Sequence, residues 1–174
     1  TLPLMPFEGT GHADMVVMAL DANTVMVPTV TPEALQTTPT PDARRRGRQV
    51  RTYLDDVAAD LKLLGLTVHR LPMLAPVHRE AGPDRLTEAT VVFSPANGLL
   101  LAHQTPEGLR RQVVLPSFVA ADLPEVERRR SERYERRWAR FFEVQGWEPR
   151  FVDAGVLVES LGLLRCVTAP LPAD

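Results

Sequence analysis

Val25-Met26-Val27-Pro28-Thr29 and Val113-Val114-Leu115-Pro116-Ser117 are two versions of one pattern: three apolar residues, a proline and a hydroxyl residue. Each reads as a buried strand closed by its proline. Their flanks match as well. Upstream lie the apolar runs Met15 to Leu20 and Leu99 to Ala102, each expected to pair with the strand that follows it. Asp21-Ala22-Asn23 has hairpin-turn composition, and His103 to Arg111 is expected to be a loop. Downstream, Val50, Leu54, Val57, Leu61 and Leu64 recur at three and four residues. That spacing predicts a helix with one buried face, capped by Asp42 and ended by Gly65. Pro124 to Val144 predicts a second helix, with Tyr134, Trp138, Phe141 and Phe142 on its apolar side and Gly146 beyond its end. Leu66 to Leu71, stopped by Pro72, and Glu148 to Asp153 are the strands expected next.

Hairpin, helix and strand thus occur twice, at roughly 10–72 and 90–153, and a third copy opens in 154–174 with Val156 to Glu159 and Leu163 to Thr168. The period exceeds that of short solenoids, and one such unit cannot bury both of its faces alone. The chain is therefore expected to be α/β, a ring or stack of similar modules. Thr29 to Pro41 reads as an extended connection, and Met73 to Glu88 as a long loop.

The 174 residues are 44% hydrophobic and 24% charged, the composition of a soluble globular protein. A formal charge of −2 gives no reason to expect a nucleic acid or an anionic membrane as partner. No apolar run approaches the length of a membrane span. A single cysteine excludes an internal disulfide framework. It suits a cytoplasmic protein, or an exported one carrying a free thiol, and the start at Thr1 suits a processed or truncated product. His69, His78 and His103 lack metal-ligand spacing, so neither metal nor cofactor is expected. Arg44 to Arg48 and Arg128 to Arg140 read as solvated helix faces, with Glu132 and Arg136 placed to pair.

Candidate chemistry sits at matching points of the repeat. Gly11-His12-Ala13-Asp14 sets a base and a carboxylate at the mouth of the first hairpin. Asn97, in Pro95-Ala96-Asn97-Gly98, precedes the second, although that composition is also a common turn. Cys166 lies in the third copy, in Leu163-Leu164-Arg165-Cys166-Val167-Thr168. Modules arranged around an axis would turn all four residues toward it. The alternative is a capping Asp, a surface His and a buried, inert thiol.

Gly11-His12-Ala13-Asp14-Met15 running into a strand resembles the histidine loop of the guanidine-modifying, pentein-fold hydrolases. Within that superfamily the branch of agmatine deiminases and bacterial peptidylarginine deiminases is the most similar. Ala96-Asn97-Gly98 resembles that branch's Asn segment, and Leu164-Arg165-Cys166-Val167-Thr168 its catalytic Cys segment, in the family's order. The resemblance implies a propeller of ββαβ modules around a polar site, with this chain supplying about three of five as the C-terminal part of a single domain.

It further implies that Cys166 attacks a guanidinium carbon, that His12 is general base and acid, and that Asp14 binds the guanidinium, with Asn97 orienting the thiol or substrate. The substrate would be agmatine, arginine or a peptidyl-arginine. Two features depart from the family pattern. Arg165 stands where a His usually precedes the cysteine, and either lowers the thiol pKa or repels a cationic substrate. The family's other guanidinium-binding Asp has no counterpart here, which implies that an N-terminal half carrying it is either a complementary second chain or missing. A binding protein without turnover, and an amidinotransferase using the same Cys, are the alternatives.

Overall fold

The repeat is present as topology. The computed structural model describes residues 13–38, 40–79, 89–119 and 123–154. In the first copy β1 (Met18–Ala19) runs antiparallel to β2 (Thr24–Val30). The chain then passes through α1 (Pro32–Thr37) and α2 (Pro41–Leu63) and returns as β3 (Thr67–Met73), parallel to β2. An antiparallel pair follows, β4 (Val77–Arg79) with β5 (Ala89–Val91). In the second copy β6 (Leu99–Thr105) is antiparallel to β7 (Gly108–Ser117), and α3 (Glu125–Val144) leads to β8 (Glu148–Asp153), parallel to β7. The result is two three-stranded mixed sheets, β1-β2-β3 and β6-β7-β8.

The two copies agree in register and in how their helices stop. Pro28 lies opposite Leu71 in one sheet and Pro116 opposite Val152 in the other. α2 ends with Gly65 N–H on the Lys62 carbonyl at 2.9 Å and Leu66 N–H on Leu61 at 3.1 Å. α3 ends the same way, Gly146 on Glu143 at 3.0 Å and Trp147 on Phe142 at 2.9 Å. Each is a Schellman cap, whose turning residue needs a left-handed backbone; φ is +85° at Gly65 and +77° at Gly146.

Several boundaries differ from the sequence expectation. Pro28 and Pro116 do not close their strands, which run on to Val30 and Ser117. β1 reaches only Met26 on β2, and β6 only Val114 on β7, so each proline lies where its strand has a neighbour on one side alone. Pro72 likewise sits inside β3, and its carbonyl accepts the Trp138 indole N–H at 2.7 Å. Thr29 to Pro41 holds α1, capped by Thr31, whose Oγ1 accepts from Ala34 N at 3.2 Å. Thr40 rather than Asp42 caps α2, accepting from Ala43 N at 3.1 Å with Pro41 at the first helical position. β6 and β7 meet in a tight turn, because Thr105 and Gly108 already pair. On α3 the four-residue pair that forms joins Glu125 to Arg129 at 2.7 Å.

Two apolar clusters hold the sheets and helices. Val50, Tyr53, Leu54, Val57 and Ala58 of α2 cover Val27, Val30 and Met73 of the first sheet. The other cluster crosses between copies. Met18, Met26 and Leu71 from the first sheet join Val113, Leu115, Phe118, Tyr134, Trp138 and Phe142 from the second copy. The stripe expected on α3 is buried at Tyr134, Trp138 and Phe142, whereas Leu64 at the end of α2 is exposed. α3 therefore packs on both sheets, which fixes the first copy against the second.

Candidate functional site

Asp14 and Asn97, 83 residues apart and each near the start of its module, meet. Each lies in a single turn of 3-10 helix just ahead of its hairpin, Ala13–Met15 before β1 and Pro95–Asn97 before β6. Asn97 Nδ2 donates to Asp14 Oδ2 at 2.5 Å. Asn97 is fully buried, whereas Asp14 is partly exposed and so sits at the mouth of the arrangement.

A second contact locks the two turns. Ser94 Oγ donates to the Met15 carbonyl at 2.6 Å and accepts from Ala96 N at 3.1 Å. The hydroxyl thus caps its own turn and bridges to the other. Ser94-Pro95 carries the signal for it, a hydroxyl side chain ahead of a proline-initiated turn. Gly98 is required by close approach, since a Cβ there would lie 2.8 Å from the Val114 carbonyl and 2.9 Å from the Met18 side chain. Neither Ser94 nor Gly98 stands out as functional in the sequence.

The buried face beneath is aromatic. Phe93 meets Phe118 edge-on at 5.2 Å, and Phe118 meets Trp138 at 6.4 Å. A further polar group closes the far side of that layer. Glu135 of α3 accepts from Phe118 N at 3.0 Å and from Ser117 Oγ at 3.0 and 3.2 Å. Burial pushes its carboxyl above the ordinary range, against those hydrogen bonds, which favour the charged form.

Of the predicted site residues, the fold brings Asp14 and Asn97 together. His12, Arg165 and Cys166 lie outside the described residues, as does the stretch beyond Ala154 where a third copy is expected. Among the described residues no group of three or more His, Cys, Asp or Glu could hold a metal ion, and no helix is long and apolar enough to cross a membrane. A partly exposed carboxylate, held from behind by a buried amide, is suited to receiving planar N–H donors from a cation.

The architecture matches solved structures closely enough to compare. Agmatine deiminase of C. jejuni aligns over 90% of this chain and 37% of its own, with a TM-score of 0.55 and 17% identity. The described fold is that of part of this deiminase structure. A cysteine-to-serine form of the C. jejuni enzyme with substrate bound covers 95% of this chain and 39% of its own, at a TM-score of 0.52 and 15% identity. A Porphyromonas gingivalis protein provisionally described as an arginine deiminase covers 95% and 39%, at 0.56 and 17%. The chain thus spans about two fifths of the length of the deiminases it matches. No protein-family model and no curated protein matches it in sequence.

Proposed function

We propose that this chain carries part of a guanidine hydrolase, a deiminase that converts agmatine, arginine or a peptidyl-arginine to the ureido product and ammonia. The observation that carries the reading is the hydrogen bond from Asn97 to Asp14. It joins, across two modules, the two turns that resemble the deiminase motifs, within a deiminase fold.

Water is the only co-reactant. The Cys166 thiolate adds to the guanidinium carbon while Asp14 accepts guanidinium N–H donors. His12 gives a proton to the leaving nitrogen of the tetrahedral adduct, the C–N bond breaks, and ammonia departs to leave an S-alkylthiouronium on Cys166. His12 then takes a proton from water as the C–O bond forms. The C–S bond breaks, and the thiolate returns to Cys166. The contact on Asp14 favours Asn97 as a positioning residue over one that touches substrate. In this reading the two ββαβ copies are two of five propeller modules, 154–174 begins a third, and a complementary N-terminal part supplies the other carboxylate.

Arg165 favours a second reading, a binding protein of the same fold without turnover, because a fixed cation beside the nucleophile opposes a cationic substrate. The test is release of ammonia and ureido product from agmatine, arginine and blocked peptidyl-arginine, alongside Cys166→Ala. Turnover abolished by Cys166→Ala supports the hydrolase. Transfer of the amidine to an added amine without ureido product indicates an amidinotransferase. Guanidine binding without turnover supports the silent reading, and turnover that survives Cys166→Ala overturns the role of Cys166.

A further inference from the structure

The outer faces of α2 and α3 are complementary in charge and in spacing. On α3, Arg133, Arg137 and Phe141 form one row at four-residue intervals, and Arg136, Arg140 and Val144 form another. Between them runs an open groove of about 690 Å³ floored by Leu71. The four arginines are exposed, and none makes a salt bridge among the described residues. Val144 is 70% exposed.

The end of α2 carries the counterpart. Asp56, Asp60 and Leu64 recur at the same four-residue interval and are all exposed. The neighbouring Asp55 is taken by Arg70 at 2.8 Å, but Asp56 and Asp60 have no ion pair among the described residues. Leu63 and Leu64, at 86% and 77% exposure, are the most exposed large apolar side chains of the described residues. A helix advances about 6 Å per four residues, so acid-acid-apolar on one helix can meet basic-basic-apolar on another without a change of step.

We propose that these faces dock two copies of this chain head to tail, α2 of one copy lying in the α3 groove of the next. Asp56 and Asp60 then stand between the two arginine rows, and Leu63 and Leu64 cover Phe141 and Val144. An acidic row with apolar residues at its end fits this floor better than a sugar-phosphate backbone, which has no group for the apolar end. Because the two faces differ, the contact is heterologous and each copy keeps one free face of each kind, giving chains or a closed ring. Neither face includes Asp14, Asn97, His12 or Cys166, so the fate of this proposal is separate from that of the deiminase reading.

Sedimentation equilibrium of the full chain across the micromolar to sub-millimolar range tests it. The expected result is reversible association that weakens as salt is raised. The double variant Asp56→Arg/Asp60→Arg makes both faces basic, and Arg136→Glu/Arg140→Glu turns one arginine row of the groove acidic against the acidic α2 face. Each should be monomeric, with a circular dichroism spectrum like that of the parent chain. Mixed one to one, they present opposite faces again and should recover association within about tenfold of the parent's midpoint. A parent chain that stays monomeric throughout overturns the proposal. So does a mixture that stays monomeric while both variants remain folded, or association that either double variant leaves unchanged.

Discussion

Replacing Asn97 with aspartate sets two carboxylates where an amide now donates to Asp14 at 2.5 Å. Two unit charges at that separation repel by about 7 kcal/mol at an effective dielectric constant of ~20. The molecule has a cheaper course, which is to keep a proton on the pair. Holding one on an ordinary aspartate at pH 7 costs about 4 kcal/mol, from its unperturbed pKa near 3.9. That sets the ceiling at neutral pH, and the cost falls toward zero near pH 4. The retained proton raises one carboxyl in the folded state, so the folded chain binds more protons than the unfolded one and stability falls as pH rises. Between pH 4 and 7 Asn97→Asp should lose up to about 1.4 kcal/mol per pH unit relative to the parent. Asn97→Ala removes a hydrogen bond to a charged group and should cost ~1.5–3 kcal/mol, with little slope of its own.

Urea unfolding followed by the fluorescence of Trp138 and Trp147, both buried, measures all three chains in parallel from pH 4 to 8. Comparison with the parent cancels the other carboxylates. If the difference between Asn97→Asp and the parent is the same at pH 4 and pH 7, the two side chains do not meet and the Asp14–Asn97 contact is refuted.

Three other perturbations test the frame around the pair. Gly98→Ala pushes a methyl group into the Val114 carbonyl and Met18, and should cost ~1–3 kcal/mol in urea unfolding. Trp138→Phe keeps the ring but strips the Pro72 carbonyl of its indole donor, and should cost about 1–3 kcal/mol. A loss below about 0.5 kcal/mol would show that the buried carbonyl finds another donor. Glu135 has a carboxyl raised by burial, so its contribution is fully present below the unfolded carboxylate range and is lost as pH rises through the raised value. Glu135→Gln should therefore flatten the fall in stability above pH 5 relative to the parent, read from unfolding midpoints at pH 4, 5.5 and 7.

The order of elements was legible because it leaves periodic marks: an apolar face every three to four residues, and a glycine where each helix must turn through positive φ. Gly65 and Gly146 show the repeat more reliably than the strands do. The prolines misled for a local reason. Pro28, Pro72 and Pro116 read as strand ends, yet each sits inside its strand at a position with a sheet neighbour on one side alone. Met15 to Leu20 reads as one strand because all six residues are apolar, but only Met18 and Ala19 pair with β2. The turn before them is shaped by Ser94 from the other copy, and no local pattern encodes a partner so distant in sequence. Asp14 and Asn97 could be placed at corresponding points of the repeat. That one should hold the other followed only from how α3 packs on both sheets.

This dependence makes the pair a property of the interface between copies. Asp14 belongs to the first copy, yet its partner Asn97, the Ser94 that bridges to its turn, and Gly98 pressing on Met18 all belong to the second. The second copy in turn is held to the first by Trp138 on Pro72 and by an apolar cluster drawn from both sheets. A core substitution in α3 therefore acts on the carboxylate without touching it. Loosening Trp138 lets the sheets shift, and a shift of 1 Å is enough to break a 2.5 Å hydrogen bond. If Asp14 receives a guanidinium, the geometry of that recognition is set by packing between the copies, and disturbing the packing should cost affinity before it unfolds the chain.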